Sequence, residues 1–187
     1  MLQNGRRYYP LDPYDIYNLC KCLSTDFAGL MNEGRIALGC SDGLVMPHLN
    51  IRPSDEGCTF LNREGRCTIH DYRPGLCRLY PLGRIYREDG GFDYYIQEGE
   101  CPYPAKTKVR VSKWLGIEGI DRYEAYIRSF HEEIKNTQQR MKDNPDSEKN
   151  ITVDFLTRYY VIPYSLEQDF YEQFTMRKSP DYLLNYK

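Results

Sequence analysis

The stretch Cys58-Thr-Phe-Leu-Asn-Arg-Glu-Gly-Arg-Cys67-Thr-Ile-His-Asp-Tyr-Arg-Pro-Gly-Leu-Cys77-Arg-Leu-Tyr-Pro carries the residues with the most chemistry to offer. Its three cysteines are separated by eight and nine residues, with the turn-forming Gly65 between the first two. A fourth, Cys101, lies beyond a Gly90-Gly91 turn and directly before Pro102. Four soft thiolates from separate loops suit a tetrahedral zinc ion or the corners of an iron–sulfur cluster. The spacing is looser than a CxxC knuckle, so spacing alone does not choose between them. Either centre would leave negative charge on the sulfurs. Arg73 and Arg78, on either side of Cys77, are candidates to donate to those sulfurs and offset that charge. The competing account of both arginines is pairing with surface carboxylates.

The remaining cysteines read differently. Cys20 and Cys22, two apart on an expected helix, project in different directions and cannot easily share one ion. With Cys40 they are expected to be ordinary buried or surface thiols, with partial rescue of the metal site as the alternative. The total of seven is odd, so complete internal pairing is impossible. Met1 to Pro10 holds Arg6 and Arg7 but no apolar run of a secretory signal, which points to the cytoplasm, where disulfides are rare.

At the cysteine-rich stretch the chain resembles a known family. The pattern Cys-x-Phe-Leu…Gly-x-Cys-x-Ile-His-x-x-Arg-Pro-x-x-Cys-Arg-Leu-Tyr-Pro is similar to the YkgJ-type cysteine-cluster family, described as a zinc- or iron-chelating domain. Its relatives include the flagellin lysine N-methylase FliB. Leu11-Asp12-Pro13-Tyr14-Asp15-Ile16 is similar to the family's first helix, and Leu82-Gly83-Arg84-Ile85-Tyr86 and Glu100-Cys101-Pro102 to later segments. Pro163-Tyr164 and Asp169 to Phe174 resemble the carboxy-terminal extension of one bacterial branch. The resemblance implies a metal centre built on Cys58, Cys67, Cys77 and Cys101. Family members also carry a CxxCxxCC block ahead of the Asp-Pro helix, where this sequence has Gly5-Arg6-Arg7-Tyr8-Tyr9-Pro10. Either the chain is shortened at its amino end or half of the ligand set is lost. Relatives often have Tyr at the place of His70, so packing and hydrogen bonding are expected of it rather than ligation. His48 and His131 have no companion ligands nearby in sequence and are expected to be structural or exposed.

These groups need elements to hold them. Asp12 as cap, Pro13 at the first helical position and Asp15 in the first turn predict a helix carrying Ile16, Leu19 and Leu23 on one face. A short helix is expected from Thr25 towards Asn32. Between Gly34 and Pro104 glycine and proline are frequent, with short strands expected at Leu44-Val45-Met46 and Phe92 to Ile96. Beyond Pro104 the stripe Ile120, Tyr123, Ile127, Phe130 and Ile134 predicts a long helix broken at Asn144-Pro145. Another is expected from Thr152 to Val161. A last one, capped by Ser165, would carry Leu166, Phe170 and Phe174. The expected fold is α+β and mostly helical, with a small irregular cysteine-rich metal-binding centre and short strands. Residues 1–110 would form the cysteine-cluster domain and 111–187 a helical extension packed on it.

Composition narrows the function classes. In 187 residues, 25 Lys and Arg oppose 27 Asp and Glu, a balance that argues against a dedicated nucleic-acid binder. Eighteen Tyr and seven Phe are too many for a disordered chain. No stretch approaches the roughly 18 consecutive apolar residues of a membrane span. Lys106, Lys108, Arg110 and Lys113 alternate along one segment and fit a solvated edge better than an anionic partner. Phosphate loops, nucleophile elbows and HExxH helices are absent from the sequence. The primary reading is a cytoplasmic protein binding zinc or an iron–sulfur cluster. A lysine N-methyltransferase-like enzyme is the alternative from another class, although no glycine-rich loop for a methyl donor is visible. A degenerate interaction module, with a protein partner and no metal, is the third.

Overall fold

The computed structural model describes residues 10–100 and 107–186, and the backbone pairing of two short amino-terminal strands. It is α+β and mostly helical, and its strands form two-stranded antiparallel sheets. The chain divides into two compact units, Met1–Pro74 with Thr137–Lys187, and Gly75–Asn136.

In the first unit, β1 (Leu2–Gln3) pairs with β2 (Arg6–Arg7). Helix α1 (Pro13–Leu23) starts as its sequence dictates. The Asp12 carboxylate accepts from the Asp15 amide, and the Asp15 carboxylate accepts from the Asp12 amide, so two orphan donors are satisfied reciprocally. Its apolar stripe buries Ile16 and Leu19. Helix α2 (Phe27–Asn32) is capped by Asp26 and buries Leu30. The hairpin β3 (Ile36–Ser41) and β4 (Leu44–Leu49) turns on Asp42-Gly43, both at positive φ. That tight turn suits the right-handed twist of paired strands. Only β4 was expected; the signal for β3 was the Asp-Gly dipeptide between two apolar runs.

The carboxy-terminal part of this unit departs from expectation at its helix starts. Helix α6 (Glu148–Leu156) begins before Thr152 and runs into a π-helical turn, Thr157–Val161. Its Tyr160 hydroxyl donates to the Leu11 carbonyl (3.0 Å). Helix α7 (Phe170–Arg177) is capped by Asp169, not Ser165. The Ser165 hydroxyl instead accepts from the Glu167 amide, and Leu166 is exposed. A short α8 (Tyr182–Asn185) follows. The wide turn leaves backbone carbonyls without helical partners. Buried Arg177 satisfies them, donating to the carbonyls of Arg158, Ile162 and Pro163 (2.7–2.8 Å).

The second unit holds α3 (Gly75–Leu79), the hairpin of β5 (Leu82–Tyr86) and β6 (Phe92–Ile96), α4 (Val111–Leu115) and most of α5 (Ile120–Asp143). The expected stripe of α5 is buried at Tyr123, Ile127 and Phe130. Strand β5 was not anticipated. One face of the hairpin carries Arg84 and its cross-strand partner Tyr94. The Arg84 guanidinium lies over the Phe92, Tyr94 and Tyr123 rings and donates to the Tyr123 hydroxyl.

Candidate metal centre

Cys58 and Cys67 become neighbours through a small hairpin in the first unit. Ile51 bridges to Cys58, and Leu61 bridges to Cys67. The turn between the last two is closed by Asn62. Its side-chain oxygen accepts from the Glu64 and Arg66 amides, its own amide donates to the Arg66 carbonyl, and its carbonyl accepts from the Gly65 amide. Gly65 sits at φ +74, a conformation other residues rarely adopt. Further on, the Thr68 amide and hydroxyl both donate to the Phe60 carbonyl. Phe60 and Ile69 are buried and anchor the hairpin to the core. The Arg35 guanidinium lies over the Phe60 ring and donates to the Thr59 carbonyl (3.2 Å).

Four influences act on the Cys58 thiol. Burial is the largest and pushes its pKa up. The Phe60 amide donates to the sulfur and favours the thiolate, the neighbouring Cys67 opposes a second negative charge, and Arg52 favours it. Two thiols within reach of each other's charge, one of them hydrogen-bonded by an amide, offer the soft donors that zinc and iron take. The donor chemistry of the pair therefore suits zinc or iron. Among the described residues, no group of three or more His, Cys, Asp or Glu side chains is placed to hold an ion.

Cys77 is exposed on α3, in the second unit, and Cys101 lies outside the described residues. The Arg78 guanidinium points to the Leu115 and Gly116 carbonyls at the end of α4 (3.3 and 3.4 Å). Arg73 donates to the ring of exposed His70, which also faces Asp71. His48 is half-buried on β4, and burial lowers its pKa. His131 stacks on Tyr86 (3.6 Å between ring centroids). Cys20, Cys22 and Cys40 are free thiols on α1 and β3. Lys108, Arg110 and Lys113 are exposed, and Lys106 is outside the described residues. What the sequence reading missed is Arg52 with Asp55. The signal was two opposite charges three apart in the Pro- and Gly-bounded turn before Cys58.

Residues 20–103 match the model of the CxxCxxCC family, the putative zinc- or iron-chelating domain. This span, a little under half of the chain, holds Cys58, Cys67, Cys77 and Cys101, and it agrees with the resemblance to the YkgJ-type family read from the motif. No curated protein and no solved structure matches the chain. No described helix is long and apolar enough to cross a membrane.

Proposed function

We propose that a chain with a zinc- or iron-chelating stretch over residues 20–103 is a cytoplasmic cysteine-cluster metal-binding protein, with Cys58, Cys67, Cys77 and Cys101 as its thiolate ligands. The observation that carries the reading is a hairpin, closed by Asn62 and Gly65, that brings the Cys58 and Cys67 thiols within reach of each other's charge. The motif adds Cys77 and Cys101 as further ligands. Without a cation, burial keeps Cys58 protonated, so loading the site releases protons and binding weakens as pH falls. Throughout, the Phe60 amide holds its hydrogen bond to the Cys58 sulfur and fixes its direction. A zinc ion would supply a structural cross-link there, and an iron–sulfur cluster would add electron transfer.

The test is anaerobic purification followed by elemental analysis and an absorption spectrum. Iron with sulfide and a broad visible band identifies a cluster; colourless protein with zinc identifies a structural ion. Replacing Cys58 and Cys67 together with Ser should remove bound metal and lower stability, while Cys40→Ser keeps both. Cys77→Ser and Cys101→Ser should each weaken retention. A parent protein free of zinc and iron, or a double variant with undiminished metal, overturns the proposal.

A further inference from the structure

Arg52 is built into the turn that presents Cys58. Its Nε and Nη2 form a fork onto the Asp55 carboxylate (3.0 and 2.7 Å), while Nη1 donates to the Leu61 carbonyl (2.8 Å). The guanidinium therefore reaches from one side of the Cys58-Thr-Phe segment to the other. It passes so close to Gly57 that a Cβ there would lie 2.6 Å from Nη2. Backbone bonds complete the frame, with the Arg52 amide donating to the Gly57 carbonyl (2.8 Å) and the Thr59 amide to the Asn50 carbonyl (3.3 Å). Asp55 is itself held, its carboxylate accepting from the Gly57 amide. Only arginine has the planar set of donors that can bond two separate groups in this way.

The clamp also brings a cation to the turn that presents Cys58. Arg52 and Cys58 each feel the other's charge, and Arg52 opposes the effect of burial on the sulfur. Asp55 takes up part of that positive charge, and its own carboxyl is held down to about 2, chiefly by the fork with Arg52. Cys67 is the other group that acts on Cys58 through its charge. We infer that Arg52 is the positioning residue of the metal centre, fixing the turn that carries Cys58. This rests on the metal-binding reading above. It adds, to Arg73 and Arg78 beside Cys77, a supporting arginine six residues before Cys58.

The experiment uses the full chain and zinc, with a chromophoric chelator as competitor, over a range of pH. Arg52→Gln should weaken zinc binding about 10- to 100-fold, as loss of a supporting contact to a ligand does elsewhere. The pH at which half of the zinc is released should rise with it, because a weaker site competes less well with protons for the thiolates. Arg52→Lys keeps the charge and loses the fork, so it should melt earlier than the parent and bind zinc nearly as weakly as the Gln variant. It also carries the test if the Gln variant does not fold. Parent-like affinity and midpoint in Arg52→Gln overturn the inference, as does an Arg52→Lys variant with parent-like zinc affinity. Absence of zinc and iron binding in the parent instead removes the metal-binding reading itself, so the two failures are distinct.

Discussion

Replacing Gly65 by Ala isolates the backbone requirement of the hairpin that brings the two thiols together. Gly65 adopts φ +74, and a Cβ built there meets nothing within 4 Å. A steric clash is thus excluded, and the whole effect must come from placing an L-residue in the left-handed region. That conformation costs about 1–2 kcal/mol. Loss of the glycine's extra freedom in the unfolded chain works in the opposite direction, by about 0.4–1 kcal/mol. The expected net destabilisation is therefore about 0.8 kcal/mol from the middle of the two ranges, with about 1.6 kcal/mol as its upper end. Equilibrium urea unfolding of the metal-free protein reads it directly, with an unchanged slope marking a native-state effect. Gly65→Asn should recover much of the loss, because Asn tolerates positive φ. An Ala variant as stable as the parent would show that the turn can close another way. An Asn variant as damaged as Ala would point to side-chain bulk and contradict the empty space around this position.

Two further outcomes follow from groups outside the hairpin. Arg177 is 2% exposed, donates to three carbonyls and lies over the Tyr164 ring at 3.4 Å, so even Arg177→Lys should cost about 2–4 kcal/mol in urea unfolding. A loss under about 0.5 kcal/mol, the range of an ordinary surface change, would contradict that role. Cys20 is pushed up to about 11, first by burial and then by the Asp26 charge, whereas Cys40 is exposed. Because the thiolate is the reacting form, raising the pKa by two units leaves roughly 100-fold less of it near pH 8. Mass-spectrometric mapping of iodoacetamide labelling should find Cys40 modified first and Cys20 approaching it only as pH rises towards 11. Equal rates at pH 8 would refute the shift.

Local signals were sufficient wherever one segment satisfies its own requirements. Asp12, Pro13 and Asp15 define the start of α1 because all three act within a single helical turn. Tyr123, Ile127 and Phe130 mark the buried face of α5 because helical spacing alone aligns them. The start of α7 was less legible, since Ser165 and Asp169 are both good caps by residue type. The exposure of Leu166 and the Gln173 side chain, which bonds the Ser165 amide and carbonyl, move the helix start to the later one.

The candidate centre divides along the same line. Which residues carry soft, ionisable sulfur is a matter of sequence, and the span from Cys58 to Cys101 was recognisable from residue types and motif. Which thiols are neighbours is not, because Cys58 and Cys67 approach each other only after Asn62 and Gly65 have closed the chain between them. The arginine proposed to hold the Cys58 turn was beyond the reach of sequence order for the same reason. Arg73 and Arg78 stand nearest to Cys77 along the chain, but Arg52 is aimed at the Cys58 turn by contacts with Asp55 and the Leu61 carbonyl. Charge acts through distance in space, and folding sets that distance.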